Sequence, residues 1–200
     1  MKLSWGNKVD HRFRDAVIKM CKELGWGEPH ASWMMACIAF ETADTFDPAI
    51  RNAAGSGATG LIQFMPRTAL GLGTDTDKLA AMDAPEQMVY VQKYMKPYAN
   101  SIHSLSDMYM AILAPKAVGK ADTFVLYSDG AAYRMNSPLD TDSDGTITKA
   151  EASQFVRSKL VKGYGFGKWI NIAWNDNDSV LAMISEIKTR LVELETMIGG

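Results

Sequence analysis

The chain has almost no surplus of charge. Lys and Arg number 21 against 23 Asp and Glu, a net of -2 at pH 7 over 200 residues. That balance argues against a nucleic-acid binder, which usually carries a basic face, and against a polycationic tail for breaching anionic bacterial surfaces. Cysteine is scarce: Cys21 and Cys37 are the only two. They read as free, buried thiols of a protein made in a reducing cytoplasm, and a disulfide between them stays open because spacing alone does not place them in space. The three histidines, His11, His30 and His103, lie far apart and form no H-E-x-x-H pattern, which argues against a zinc peptidase. The opening MKLSWGNKVDHRFRD lacks the apolar stretch of a secretion signal. No apolar run approaches the length of a membrane span. The expectation is a protein that starts in the cytosol, does not insert into membranes, and reaches any outside site of action by other means.

What is present suits a packed domain. With 47% hydrophobic and 22% charged residues the chain can bury a real core. The thirteen Met residues fit irregular core packing. The patterning is mainly α. Phe13, Val17, Met20, Cys21 and Leu24 mark a helix over 9–24 that Gly25 and Gly27 end, and Pro29 opens a second helix running to about Glu41. Residues 52–60 read as a flexible loop, followed by helices near 66–71, 85–96, 104–114 and 149–160. The Gly- and Asn-rich stretch from KGYGFGKW to NIAWNDNDS reads as loop and linker. Residues 1–170 thus form one domain, 171–179 a linker and 180–200 an amphipathic helix. In that helix Val180, Ile184, Ile187, Leu191, Leu194 and Ile198 fall at heptad spacing, with Arg190 and Glu195 placed as an opposite-sign pair. It either forms a parallel coiled coil between copies, making a homo-oligomer, or packs on its own domain.

The strongest local signal is DTDSDGTITKAE, residues 140–151. Asp140, Asp142 and Asp144 occupy positions 1, 3 and 5 of a twelve-residue calcium loop, Gly145 position 6, Ile147 position 8 and Glu151 position 12. Calcium takes hard oxygen donors, needs Gly where the chain turns sharply, and uses a last carboxylate through both oxygens. The Thr146 carbonyl is the expected ligand at position 7, and Thr148 or a water at position 9. A merely solvated acidic loop accounts for the aspartates but not for Gly145, Ile147 and Glu151 together. Ser137-Pro138 directly upstream argues against a full entering helix, so the loop reads as half an EF-hand holding structural calcium.

Two further stretches bear on chemistry. GSGATG, residues 55–60, spells a dinucleotide fingerprint, yet no strand precedes it, so that reading fails its own test. The stretch is either a flexible loop entering a buried turn, or a Gly-rich loop, Gly60 included, that lets a polymeric ligand approach the backbone while Gln63, the one polar side chain in LIQFMP, supplies a neutral hydrogen-bonding group. Glu41 ends the eight uncharged residues WMMACIAF. A carboxyl set against Trp33, Cys37 and Ile38 is poorly solvated, which favours its neutral form and raises its pKa. Asp44 and Asp47 follow closely, and Asp47 before Pro48 reads as a helix N-cap.

FETADTFDPAIRNAAGSGATGLIQFMPRTA resembles the core of soluble lytic transglycosylases and goose-type lysozymes. That family has a Glu closing a helix, then Gly-Leu-Met-Gln and Met-Pro-x-Thr-Ala. Here Glu41, Gly60-Leu61-Ile62-Gln63 and Met65-Pro66-Arg67-Thr68-Ala69 stand in the same order. The chain is most similar to phage-encoded versions that append an EF-hand-like loop. The resemblance implies a lysozyme-like fold that cleaves the MurNAc–GlcNAc β-1,4 bond of peptidoglycan, as a muramidase or a lytic transglycosylase. It implies Glu41 as the single acid and base, with Gln63 and Gly60 placing the glycan. The family's Ala-Tyr-Asn segment is replaced by Leu113-Ala114, so Tyr109 is the first candidate for the cleft's aromatic contact and Tyr133 the second. The phage likeness implies action at the host cell wall, either released at lysis through a holin or carried in the virion, where residues 180–198 would serve attachment. The competing reading is a non-enzymatic, calcium-stabilised tail component with a degenerate lysozyme fold.

Overall fold

The computed structural model describes residues 1–170; the linker at 171–179 and the heptad segment at 180–198 lie outside the described residues. The described chain is mainly helical, with eight α-helices and four very short strands. Helix α1 (His11–Glu23) starts at Asp10, whose side chain accepts the Phe13 N–H, and ends at Gly25 in the left-handed region. Helix α2 (Glu28–Glu41) follows, with Pro29 in its first turn. Its residues Met34 to Ala39 are all fully buried. Six successive positions at about 100° each cover the whole circumference of a helix, so α2 has no solvent face over this stretch. Helices α1, α6 (Leu105–Leu113) and α8 (Lys149–Gly165) pack around it. Glu41 is the residue at which this central helix surfaces.

A long loop leads from α2 to three helices, α3 (Pro66–Gly71), α4 (Thr76–Ala81) and α5 (Ala84–Met95). Two of them are fixed by side-chain caps. Asp75 accepts the Lys78 N–H at the start of α4, and Asp83 forms a reciprocal capping box with Glu86 at the start of α5. Pattern reading finds α5 and passes over α4, which buries only Leu79 and so has no periodic face to detect.

Three sequence expectations change. The fold continues α8 to Gly165 and then adds strand β4 (Lys168–Trp169), antiparallel to strand β1 (Lys2–Leu3), where KGYGFGKW reads as loop and linker. The reason is tertiary: Gly163 is the point where the chain just after β1 lies against α8, since a Cβ there would overlap Ser4 and Trp5. The Trp5 backbone N–H donates to the Gly163 carbonyl at 2.8 Å, and its indole N–H to Lys159 at 2.9 Å. Secondly, Asp47 caps no helix. Its Oδ1 accepts the Ala49 N–H at 2.8 Å in an Asx turn, and the chain then bridges Arg51 to Thr59 instead of coiling. Thirdly, the stretch before the acidic loop is not wholly irregular: a short helix α7 (Gly130–Asn136) and a 3-10 turn (Ser137–Leu139) precede it, short of a full entering helix. Pro138 falls in the turn, which needs no N–H from it. Cys21 and Cys37 are both buried and free.

Candidate active site and acidic loop

Glu41 is half-buried, and no hydrogen bond or ion pair reaches its carboxyl among the described residues. Burial pushes its pKa up to about 8, from 4.5. Three groups feel its charge: Cys37 one turn earlier, Tyr94 of α5 and Tyr109 of α6. The Cys37 thiol is itself held well above the ordinary range, first by burial and then by Glu41, so it is no thiolate nucleophile. Trp33, expected against the carboxyl, turns to His30 instead, with ring centroids 4.6 Å apart.

Tyr109 is only 2% exposed and packs edge-on to Phe40 at 5.4 Å. It borders the Glu41 site as core, with no ring face free for a sugar. Tyr94 was missed. It is half-buried, its hydroxyl donates to the Ala111 carbonyl at 2.7 Å, and its ring stands edge-on to Phe64 at 6.1 Å. Burial, Tyr98 and Glu41 together push its pKa up to about 12. Tyr98, half-exposed, lies 6.1 Å beyond it. On sequence alone Tyr94 looks like one more core position of α5; only the fold brings it to Glu41.

The loop from Asp47 to Phe64 is braced from inside. Gln63 sits at φ +51°, half-exposed, and its amide donates to the carbonyls of Gly60 at 3.1 Å and Ile50 at 3.4 Å. Gly60 has φ +87°, and a Cβ there would overlap the Gln87 side chain. The close approach that this glycine permits is therefore made by Gln87, where the sequence suggests a ligand. Gln87 is fully buried and fully used: it accepts the Leu61 N–H at 2.6 Å and donates to Pro48 at 3.0 Å and Leu79 at 2.9 Å. Its signal in the sequence is an amide in phase with Val91 and Met95 on the buried stripe of α5.

Asp44 is, by position, a candidate for the second carboxylate that ordinary glycosidases use, but it is engaged elsewhere. Its Oδ1 takes Lys159 and its Oδ2 takes Lys162, each at 2.6 Å. Burial works against its charge, but the two ammonium groups outweigh it and hold the carboxyl below its usual range.

In the acidic loop the carboxylates of Asp140, Asp142 and Asp144 approach within 4.8 Å of one another and could hold a metal ion. Among the described residues the buried Asp140 Oδ1 has no hydrogen-bond partner, which suits a cation ligand. Its other oxygen accepts from Gly145 N–H at 3.1 Å and from the Tyr133 hydroxyl at 2.7 Å. Tyr133 thus belongs to this loop and not to the Glu41 site. Gly145 has φ +86°, as the sharp turn requires. Thr146 donates from backbone and hydroxyl to Asp144. Thr148 caps α8, and Glu151 returns the capping bond with Oε2 while its Oε1 accepts the Thr141 N–H at 3.0 Å. Ile147 and Thr148 form strand β3, antiparallel to β2 (Val125–Tyr127). Buried Lys149 bonds Asp107 of α6 at 2.5 Å, tying the loop to the helix that carries Tyr109.

No family model, no curated protein and no solved structure matches the chain. Among the described residues no helix is long and apolar enough to cross a membrane.

Proposed function

We propose that the chain is a peptidoglycan-degrading enzyme with a lysozyme-like fold, and that Glu41 cleaves the MurNAc–GlcNAc β-1,4 bond as general acid and then general base. One observation carries this reading: a carboxyl at the surfacing end of a dry helix, without a partner among the described residues, whose burial pushes its pKa up to about 8. Such a group still holds its proton near neutral pH and can donate it to the glycosidic oxygen as the sugar gains oxocarbenium character. The resulting carboxylate then takes a proton from the incoming hydroxyl. The engagement of Asp44 by two lysines favours a mechanism without a second carboxylate. In that mechanism the attacking group is the 6-hydroxyl of the muramic acid itself, and the product is a 1,6-anhydro sugar. The order of Glu41, the Gly60–Gln63 turn and Met65-Pro66 supports the same assignment.

The acidic loop fits calcium through the hard carboxylate oxygens of Asp140, Asp142 and Asp144, with the Thr146 carbonyl, Thr148 and Glu151 as the further candidates. Bound there, the ion would neutralise the clustered charge and brace the start of α8. Its role is structural. The enzyme acts on the cell wall of a phage host, released at lysis or carried in the virion.

Purified sacculi incubated with wild type and Glu41→Gln provide the test. Wild type should release soluble muropeptides and the variant essentially none, with anhydro ends seen by mass spectrometry. Reducing ends would make it a hydrolase. Equal release by both, or none by either, would overturn the enzymatic reading and leave the non-catalytic tail component.

A further inference from the structure

The turn that follows Glu41 is unusual. Ala43, Asp44 and Phe46 have φ of 49°, 68° and 58°, all in the left-handed region and none of them glycine. Side chains make that region unfavourable, so the turn persists only where its surroundings over-determine it. Part of the hold is local. Thr42 Oγ1 donates to Ile38 at 2.7 Å and accepts the Phe46 N–H at 3.0 Å, while the Asp44 N–H reaches Ala39 at 2.7 Å. The ionic hold comes from far along the chain. Lys159 and Lys162 stand three apart on one face of α8, and each takes a different oxygen of Asp44 at 2.6 Å. Gripping both oxygens fixes the orientation of the carboxylate and, through it, the path of the backbone leaving α2. Glu41 has no partner at its own carboxyl among the described residues. Its aim must therefore come from the backbone that carries it.

We propose that Asp44, Lys159 and Lys162 form a positioning clamp that locks the strained turn behind Glu41 and so directs its carboxyl at the scissile bond. The clamp rests on the reading of Glu41 as the acid and base. None of its three residues touches the reacting atoms; they act through the turn.

Steady-state kinetics on solubilised glycan strands, run well below the melting midpoint, test it with Asp44→Asn, the double variant Lys159→Met/Lys162→Met, and the double variant Lys159→Arg/Lys162→Arg. The clamp predicts that Asp44→Asn and the Met pair lose roughly 10- to 100-fold in kcat with KM almost unchanged, as misdirection of one reacting group does. The Arg pair, which can still grip both oxygens, should keep most of the turnover. A purely structural role would lower the melting midpoint and leave the kcat of the folded fraction intact, and that result overturns the clamp. So does a loss confined to KM, or failure of the Arg pair to restore turnover. If Asp44→Asn does not fold, the two lysine variants decide by the same criteria. A wild type that releases no product removes the role of Glu41 and the clamp together; an active wild type with fully active variants removes the clamp alone.

Discussion

Glu41 keeps its proton through a pH range in which an ordinary carboxyl is ionised, and this has a cost that can be measured. In the unfolded chain the group titrates near 4.5, in the folded one near 8. Between those values the native state binds the extra proton, so stability falls as pH rises through the window. Glu41→Gln should therefore melt higher than wild type at pH 8 to 9 and nearly level with it at pH 4. Activity should decline with rising pH as the acid form is lost around 8, with a slope of one proton in kcat/KM. Gly60 makes a second claim. Alanine there meets both φ +87° and the Gln87 amide, and should cost about 2–4 kcal/mol in urea unfolding. Of these residues Glu41 was legible, because one charge closing eight uncharged positions is visible without a fold. Gln87 and Tyr94 were not. Periodicity puts both on α5, but which neighbour each meets depends on where the loop from Asp47 to Phe64 returns.

Among the elements α8 joins most of what matters. Its first turn closes the acidic loop, Lys149 binds buried Asp107, and about three turns further on Lys159 and Lys162 hold Asp44. Excess calcium should raise the melting midpoint and EDTA should reverse it. A concentration a hundredfold above the dissociation constant adds about 2.7 kcal/mol. Asp142→Asn with Asp144→Asn should abolish the response, and a wild-type midpoint indifferent to calcium would sink the assignment. The helices α1, α2, α5 and α6 were legible because each buries a stripe or a full circumference of apolar residues over nine positions or more. Helices α4 and α7 were not: six and seven residues long, they bury one side chain and none, and neither opens on a Pro as the equally short α3 does. The C-terminal end of α8 escaped for another reason. Glycine at 163 weakens a helix locally, and the contact that overrides it comes from Ser4 and Trp5 at the other end of the chain.

At the scale of the molecule, β1 and β4 bring the two ends of the described chain together, and α2 lies enclosed by helices drawn from both halves. That enclosure has a consequence for how the protein is made. Helix α2 is complete long before α8 exists, yet its buried circumference depends on α8. At ribosomal rates the intervening residues take on the order of ten seconds to appear. During that interval Met34 to Ala39 form an apolar surface without a full cover, and the pairing that ends the exposure is one of high sequence separation, which is slow to close. A chain stopped before Lys149 should accordingly be recovered as aggregate, or bound to a chaperone, while a chain stopped after Ile170 stays in solution. Pulse-labelled synthesis in a reconstituted translation system, with and without a holdase, would show whether the helix that presents Glu41 is also the segment that most needs protection while the protein is being born.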